Sequence, residues 1–437
     1  MGQNAAASLM GHYRSMHQDA DSDLPHSSTA ASDFIFHALV RDQEGVGVYK
    51  YDSTNSRAFD KLSIVRLQIP AHTMIAPHWT DANKVAYCTH ADDEREPVVV
   101  CIHDGGGKTE HFHAYCGDMF HVPRNRVHHI ENRTDSAMTI VLALDAGRAR
   151  TIALSSAFCA LNKLAVRSLF HGFPEEATLA TEHVGALLVG PNDTVAAWHE
   201  GAESPSATSR YKLDMERGAQ RACVYPGYSG NFLTVGMKAT LDSLTGVGLL
   251  FFGLDKDGSV EPHWHTNSDE IVYVIEGTIR ATILGPDGVR CTELINKGGG
   301  FYAKAGYFHS FENVGGSQMR GLAFFNNPEM EYVGMGEAMG HLTDGVLRSV
   351  LPFSSSDVFE QRTLVGPTGA RPTQSVVITH LSADDAKQWE AKNKHHEEDP
   401  LVKRVADSRA ACDPYAGQQP RPPRGRGGTS GLFGDGF

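Results

Sequence analysis

The sequence predicts an all-β protein built from two like units in tandem, with short helices. Glycine and proline are frequent (44 and 20 of 437 residues) while long helical patterns are few, a balance that favours many short strands and turns. A stretch near residue 77 also recurs near 262. Pro77-His78-Trp79 matches Pro262-His263-Trp264, and Gly117, Pro123, His128 and Asn132 match Gly298, Lys304, His309 and Asn313. His128 and His309 then precede an arginine, Arg167 and Arg348, by the same interval, within Leu164-Ala-Val-Arg-Ser-Leu-Phe170 and Gly345-Val-Leu-Arg-Ser-Val-Leu-Pro-Phe353. Self-similarity of this kind marks a duplicated structural unit.

Taken in order, residues 1–32 are rich in Ala, Ser, Asp and His without periodicity and predict a mobile tail in which His12, His17 and His26 are solvated. The first unit spans 33–150. Its strand-like runs begin at Phe34-Ile-Phe, continue through Val46-Gly-Val-Tyr49 and Leu62–Ile69, and reach Ile75–Tyr87. Residues 151–225 form a helical and loop connection, with turn signals at Gly190-Pro-Asn-Asp and Glu203-Ser-Pro-Ser and an added strand at Val184–Val189. The second unit spans 226–355. A C-terminal extension, 356–412, carries a short sheet segment at Ser375–Thr379, then a polar helix from Asp384 and the charged run Lys394-His-His-Glu-Glu-Asp399. Residues 413–437 are low-complexity and predicted to be disordered.

Net charge is -13, which excludes nucleic acid as the expected partner, because phosphate binding needs a basic face. An anionic substrate would have to be drawn by a local positive centre. No run of about 18 apolar residues predicts a membrane span, and the first residues lack the basic and apolar regions of a secretory signal. Gly2 would suit myristoylation, but Ala6 stands where Ser or Thr is expected. Seven cysteines, an odd number with no Cys-x-x-Cys pair, predict reduced, mostly buried thiols and a cytoplasmic protein.

The residues that carry chemistry lie in the second copy. His263 and His265 are two apart, so a strand places both imidazoles on one face, and Glu270 opens the next apolar run, Ile271–Ile275. His309 arrives from a later strand. Three neutral imidazoles and one carboxylate suit a borderline divalent ion such as Mn, Fe, Ni or Zn, and leave two positions of an octahedron open. In the first copy Thr80 replaces the second histidine, and Lys84, one residue early, stands where the glutamate should be. Only His78 and His128 remain of that set. An ammonium ~4 Å from a divalent ion would cost on the order of 8 kcal/mol at an effective dielectric near 20. The first site is therefore read as degenerate. Another group, Glu110-His-Phe-His113 with His121 and His129, places His111 and His113 on one strand face without a spacing that closes a ligand shell.

The second copy resembles the cupins, whose double motif reads here as Gly258, His263, His265, Glu270 and Gly277, then Gly298, Lys304 in the proline slot, Gly306, His309 and Asn313. The resemblance implies a small jelly-roll β-barrel holding one metal on those four ligands. Two such barrels, over about residues 35 to 360, look like the bicupins, which include the oxalate decarboxylases and the legumin- and vicilin-like seed globulins. What this implies is one divalent metal per chain, Mn first and Fe, Ni or Zn as alternatives, a small carboxylate or other oxygen-rich substrate, and decarboxylase or oxidase/dioxygenase chemistry in a homo-oligomer. The alternative is a non-enzymatic storage or ligand-binding bicupin, whose barrels Asn83-Lys-Val-Ala-Tyr87 resembles. Tyr273, Tyr302 and Tyr307 are candidate catalytic residues, with Lys304 as a candidate anion contact. The sequence departs from the decarboxylases where their substrate-holding arginine stands, three residues before the first ligand: those positions are Ile75 and Val260. Their Ser-Glu-Asn lid is also not recognisable.

Overall fold

The structure is a computed structural model that describes residues 31–42, 47–91, 96–170, 188–190, 204–216, 220–221, 232–256, 258–286, 290–340, 342–350 and 375–376. The proposed N-terminal tail up to residue 30, the polar helix from Asp384, the charged run at 394–399 and the C-terminal tail lie outside the described residues.

Two halves repeat one plan. In the first, a sheet containing Ser63–Ile69, Met138–Leu144, Lys84–Ala91 and Asp118–Val122 packs on a second containing Thr73–Thr80, His128–Asn132, Val98–Gly105 and Lys108–Ala114. In the second half the matching sheets contain Gly248–Leu254, Met319–Phe325, Glu270–Glu276 and Gly300–Ala303, and Ser259–His265, Phe308–Asn313, Thr278–Leu284 and Arg290–Asn296. Short helices follow each barrel, Leu154–Cys159 and Lys163–Leu169 after the first, Met335–Gly340 and Asp344–Val350 after the second. Arg167 and Arg348, matched in the sequence, fall on the equivalent helices.

Strand alternation sorts the side chains between two cores. Along Lys84–Ala91, Ala86 and Cys88 point into the first barrel and join Val100, Phe112, Phe120 and Ile140. Val85 and Tyr87 point the other way, into a core shared with the second half. There the Tyr87 and Phe251 rings lie 5.1 Å apart and those of Phe59 and Tyr302 4.6 Å apart. Back-to-back packing of two curved sheets thus joins the barrels through apolar surface.

The halves also exchange edge strands. Ile35–Phe36, expected to open the first barrel, instead pairs with the second, Ile35 opposite Phe301. Lys212–Asp214, from the connection, pairs with the first, Lys212 opposite Phe120. Each added segment covers an otherwise open sheet edge. The phenyl ring of Phe36 gains Tyr51 at 5.0 Å and Phe59 at 5.9 Å from the first half, which favours the crossing. Within the connection the strand expected at Val184–Val189 is described only as Leu188–Val189, which pairs with Ile75 and Met74. Ser375–Val376 runs parallel to Ser259–Val260.

Two turn devices recur in both halves. The turn before the second-motif histidine needs a left-handed residue, supplied by Gly306 (φ 78°) in one half and Asn125 (φ 60°) in the other, asparagine being among the few non-glycine residues that tolerate it. The motif asparagine closes a loop from inside. Asn313 Nδ2 donates to the carbonyls of Leu254, Asp255 and Ser317 at 2.8–3.0 Å, and its Oδ1 accepts from Gly315 N. Asn132 Nδ2 donates to Ile69, Pro70 and Ser136 at 2.7–3.0 Å, and its Oδ1 accepts from Thr134 N. Truncation strands several buried backbone groups at once. Asn313→Ala and Asn132→Ala are each expected to lower unfolding free energy by about 2–4 kcal/mol in denaturant titrations; a loss under about 0.5 kcal/mol would show that the loops close without the clamp.

A candidate metal centre in the second barrel

The strand Ser259–His265 lies beside Phe308–Asn313 with His263 opposite His309, after an irregularity that follows Val260. Glu270 begins Glu270–Glu276 on the facing sheet. One ligand atom from each of His263, His265, Glu270 and His309 lies within 4.8 Å of the others, and all four residues are buried. Three imidazoles are held the same way. His263 Nδ1 is 2.5 Å from the Glu261 carbonyl, His265 Nδ1 is 2.9 Å from the Glu331 carbonyl and His309 Nδ1 is 2.9 Å from the Tyr307 carbonyl. A carbonyl can only accept, so Nδ1 carries the proton and Nε2 of each neutral ring presents a lone pair.

Those lone pairs face a carboxylate. Glu270 Oε2 is 3.1 Å from His265 Nε2 and 2.7 Å from His309 Nε2. Despite that approach His309 Nε2 has no partner in hydrogen-bonding geometry and is buried. Acceptors converging on acceptors repel unless a cation sits among them. Burial, as the largest cause, holds His263 well below the ordinary imidazole value, which disfavours a proton on that ring's Nε2. Burial acts to raise the Glu270 carboxyl, but the His309 and His265 rings beside it hold it below the ordinary carboxylate value whenever they carry positive charge, a place that a metal ion can take without a proton. The donor set and its backbone anchors fit a divalent metal ion.

The wall is aromatic. Tyr332 stacks on His263 with centroids 4.5 Å apart and donates its hydroxyl to Glu261 Oε2 at 3.3 Å. Phe325 lies 4.9 Å from His265 and Phe301 5.9 Å from His309. The four candidate catalytic residues make their contacts elsewhere. Tyr273 is three residues beyond Glu270, hence on the opposite face of its strand, in the shared core and near Arg66. Tyr302 donates its hydroxyl to Asp269 Oδ2 at 2.6 Å, and burial with that carboxylate pushes its phenol far up. Lys304 Nζ is 3.2 Å from Asp60 Oδ2. Tyr307 packs its ring 5.5 Å from Phe34, and its carbonyl accepts from His309 Nδ1. Tyr332 carries no motif; it reaches the site because its strand pairs with the ligand strand, opposite His265. Val260 and Ile75 are buried apolar residues.

In the first barrel the same frame holds a different cation. Lys84 pairs with Val122 and Leu144, as Glu270 pairs with Ala303 and Phe325. The one-residue offset in sequence is thus absorbed by the turn between Thr80 and Lys84. His78 Nδ1 donates to the Ala76 carbonyl and His128 Nδ1 to the Arg126 carbonyl, both at 2.8 Å. Lys84 Nζ is 2.9 Å from both Nε2 atoms. Its ammonium takes the central position instead of crowding an ion there. Burial pushes Lys84 down to about 7, and burial followed by Lys84 pushes His78 down to about 3. Thr80 Oγ1 turns to the Ala82 carbonyl at 3.1 Å. The rival group at 110–129 is split: His121 Nε2 is 3.3 Å from Thr245 Oγ1, and Glu110 pairs with Arg210.

Comparison with known proteins shows the family of the fold. The model of the cupin family matches the chain twice, over residues 49–174 and 229–355. No curated protein matches. Among solved structures the chain resembles oxalate decarboxylase from Bacillus subtilis at pH 4.6 (17% identity, TM-score 0.63, covering 80% of this chain and 88% of that one). It also resembles the Bacillus subtilis oxalate decarboxylase studied for its Mn(II) centres (17%, 0.61, 77% and 86%). A third is an oxalate decarboxylase studied for its substrate-binding mode (16%, 0.62, 81% and 90%). At such identities the likeness is one of fold.

The lysine centre has a pH signature. Lys84 falls from 10.5 to about 7 on folding, so between those values the unfolded chain binds more protons and stability rises with pH. Below pH 7 both states hold the proton and the buried ammonium destabilises in full. Wild type is expected to gain a few kcal/mol over Lys84→Met from about pH 7 to 10, rising by roughly 1.4 kcal/mol for each unit of pH, in denaturant unfolding. Parallel pH curves would contradict the lowered value.

Proposed function

The chain belongs to the cupin family as a tandem of two barrels, and from that premise we propose that its second barrel is a metal-dependent active site for a small oxygen-rich substrate. The observation that carries the proposal is the convergence of three Nε2 lone pairs and one carboxylate, all buried, with one of those nitrogens orphaned. Manganese is the ion proposed first, in keeping with the Mn(II) centres reported for oxalate decarboxylase; Fe, Ni and Zn suit the same donors. An ion held there supplies Lewis-acid polarisation or, for Mn and Fe, a redox couple.

The residues of the chain do the rest. His263, His265 and His309 from one sheet and Glu270 from the facing sheet would hold the ion between them. Phe301, Phe325 and Tyr332 shape a largely apolar wall that limits water around the reacting group. Where a substrate-holding arginine would stand, Val260 offers no charge. A divalent ion with one Glu270 carboxylate carries a net charge of +1, which matches a monoanion better than a dianion. We therefore propose a small monocarboxylate or a neutral diketone or enol, with decarboxylation or oxidation as the reaction class. A storage role does not call for four converging ligands.

A homo-oligomer is part of the proposal. The helices after each barrel and the residues beside them leave apolar side chains exposed, Leu164, Leu169 and Phe170 after the first and Leu342, Val346 and Val350 after the second, an apolar surface suited to a second copy. The five described cysteines are free, in keeping with a reducing compartment such as the cytoplasm. No helix among the described residues is long and apolar enough to cross a membrane.

The test combines metal content with turnover. Manganese-loaded chain, dialysed and measured by elemental analysis, is expected to retain about one ion and to turn over at least one member of a panel of small carboxylic acids and diketones with or without O2. Glu270→Gln is expected to lose both ion and activity, His265→Ala to retain little ion, and Lys84→Met to keep both. An inactive Lys84→Met chain with full metal would place the active site in the first barrel.

A further inference from the structure

The outer face of the first barrel carries a second convergence of donors. The strand Val98–Gly105 runs between Lys108–Ala114 and His128–Asn132, and the register sets His111 on one side of Cys101 and His129 on the other. Val100 and Ile102 point into the barrel core, so Cys101 and His103 alternate outward. Outward as it is, Cys101 is fully buried. Its Sγ lies 3.4 Å from His111 Nε2 and 3.9 Å from His103 Nε2. A thiol has one proton, so it can satisfy only one of these nitrogens. Ligand atoms of Cys101, His103 and His129 all lie within 4.8 Å of one another.

Each ring is fixed from behind. His103 Nδ1 lies 2.9 Å from Thr109 Oγ1. His129 Nε2 lies 2.9 Å from Glu131 Oε1, and Glu131 is itself held by Arg133 Nε at 2.6 Å. The remaining nitrogen, His129 Nδ1, is buried and has no hydrogen-bond partner. A carboxylate behind a histidine whose other nitrogen is vacant is the arrangement that orients metal ligands. Buried polar atoms otherwise find partners, and an orphan calls for an ion or a water.

We infer that Cys101, His103 and His129, with His111 beside the sulfur, form a binding site for a thiophilic divalent ion of the zinc(II) type. One thiolate and two or three imidazoles are the donors such an ion takes in four-coordinate sites. The same donors disfavour manganese, which prefers oxygen. The two centres of the chain would thus sort metals by ligand softness. The partly exposed His103 side gives an ion a route in from solvent.

Cobalt(II) reads this site separately from the second barrel, because only a thiolate ligand gives a sulfur-to-cobalt charge-transfer band in the near ultraviolet and His263, His265, Glu270 and His309 contain no sulfur. Full-length chain stripped with a chelator and titrated with cobalt(II) is expected to develop that band to about one equivalent. The band should survive His265→Ala and vanish in Cys101→Ser. His103→Ala removes an exposed side chain and spares the core; it is expected to weaken cobalt binding by at least about tenfold, and decides the matter if Cys101→Ser fails to fold. No band in the wild-type chain, a band that persists in Cys101→Ser, or cobalt affinity unchanged in His103→Ala overturns the site. Loss of the band in His265→Ala, with the fold intact, would overturn its independence from the second barrel.

Discussion

Both barrels depend on one local constraint: an imidazole on the inner face donates Nδ1–H to a backbone carbonyl and is left with its Nε2 lone pair aimed at the barrel centre. Ala76 and Arg126 serve this role in the first barrel, and Glu261, Tyr307 and Glu331 in the second. Buried lone pairs that converge need a hydrogen-bond donor or a cation among them, since leaving them unmatched costs on the order of 1–3 kcal/mol each. The first barrel meets this need with Lys84, 2.9 Å from two rings. In the second the central lysine is replaced by Glu270 and a third ring is added, a set that the proposed metal ion would reconcile.

A covalently tethered ammonium and a bound metal ion have different consequences for the whole chain. The lysine is present whenever the chain is folded, so the first barrel is complete on its own and its stability follows pH. The proposed ion can come and go, so the second barrel links stability to metal concentration. The shared core couples them mechanically: Val85 and Tyr87, on the strand that begins with Lys84, pack in the same cluster as Ile271 and Tyr273, on the strand that begins with Glu270. The strand that carries the carboxylate is thus packed against the first barrel. The turns and asparagine clamps recur in both halves while the inner residues differ.

Much of this was legible in the chain. His263 and His265 announce a common face by their spacing, and His309 with Asn313 repeats His128 with Asn132, so the candidate ligand set and the duplication can be read without a structure. The tyrosine candidates show where motif proximity misleads. Tyr273 lies an odd number of residues from Glu270, and strand parity alone sends it outward; Tyr302 follows the inward Phe301 and is turned away for the same reason. Lys84 could be matched to the glutamate's place despite a turn one residue shorter than its counterpart, but the approach of its Nζ to both histidines could not be read. Tyr332 and the cluster around Cys101 depend on which strands become neighbours, and the exchanged segments are two or three residues long, too short to carry a period. Register across strands is the information that a one-dimensional pattern lacks.

The central claim is that one frame holds a metal ion in the second barrel and an ammonium in the first. It is tested most directly by anomalous diffraction at the manganese edge from crystals of the full chain grown with Mn(II). The account predicts one strong anomalous peak enclosed by His263, His265, Glu270 and His309, and none between His78 and His128, where Lys84 Nζ should be in density. A peak between those two histidines, or no peak among the four ligands at saturating manganese, would contradict it.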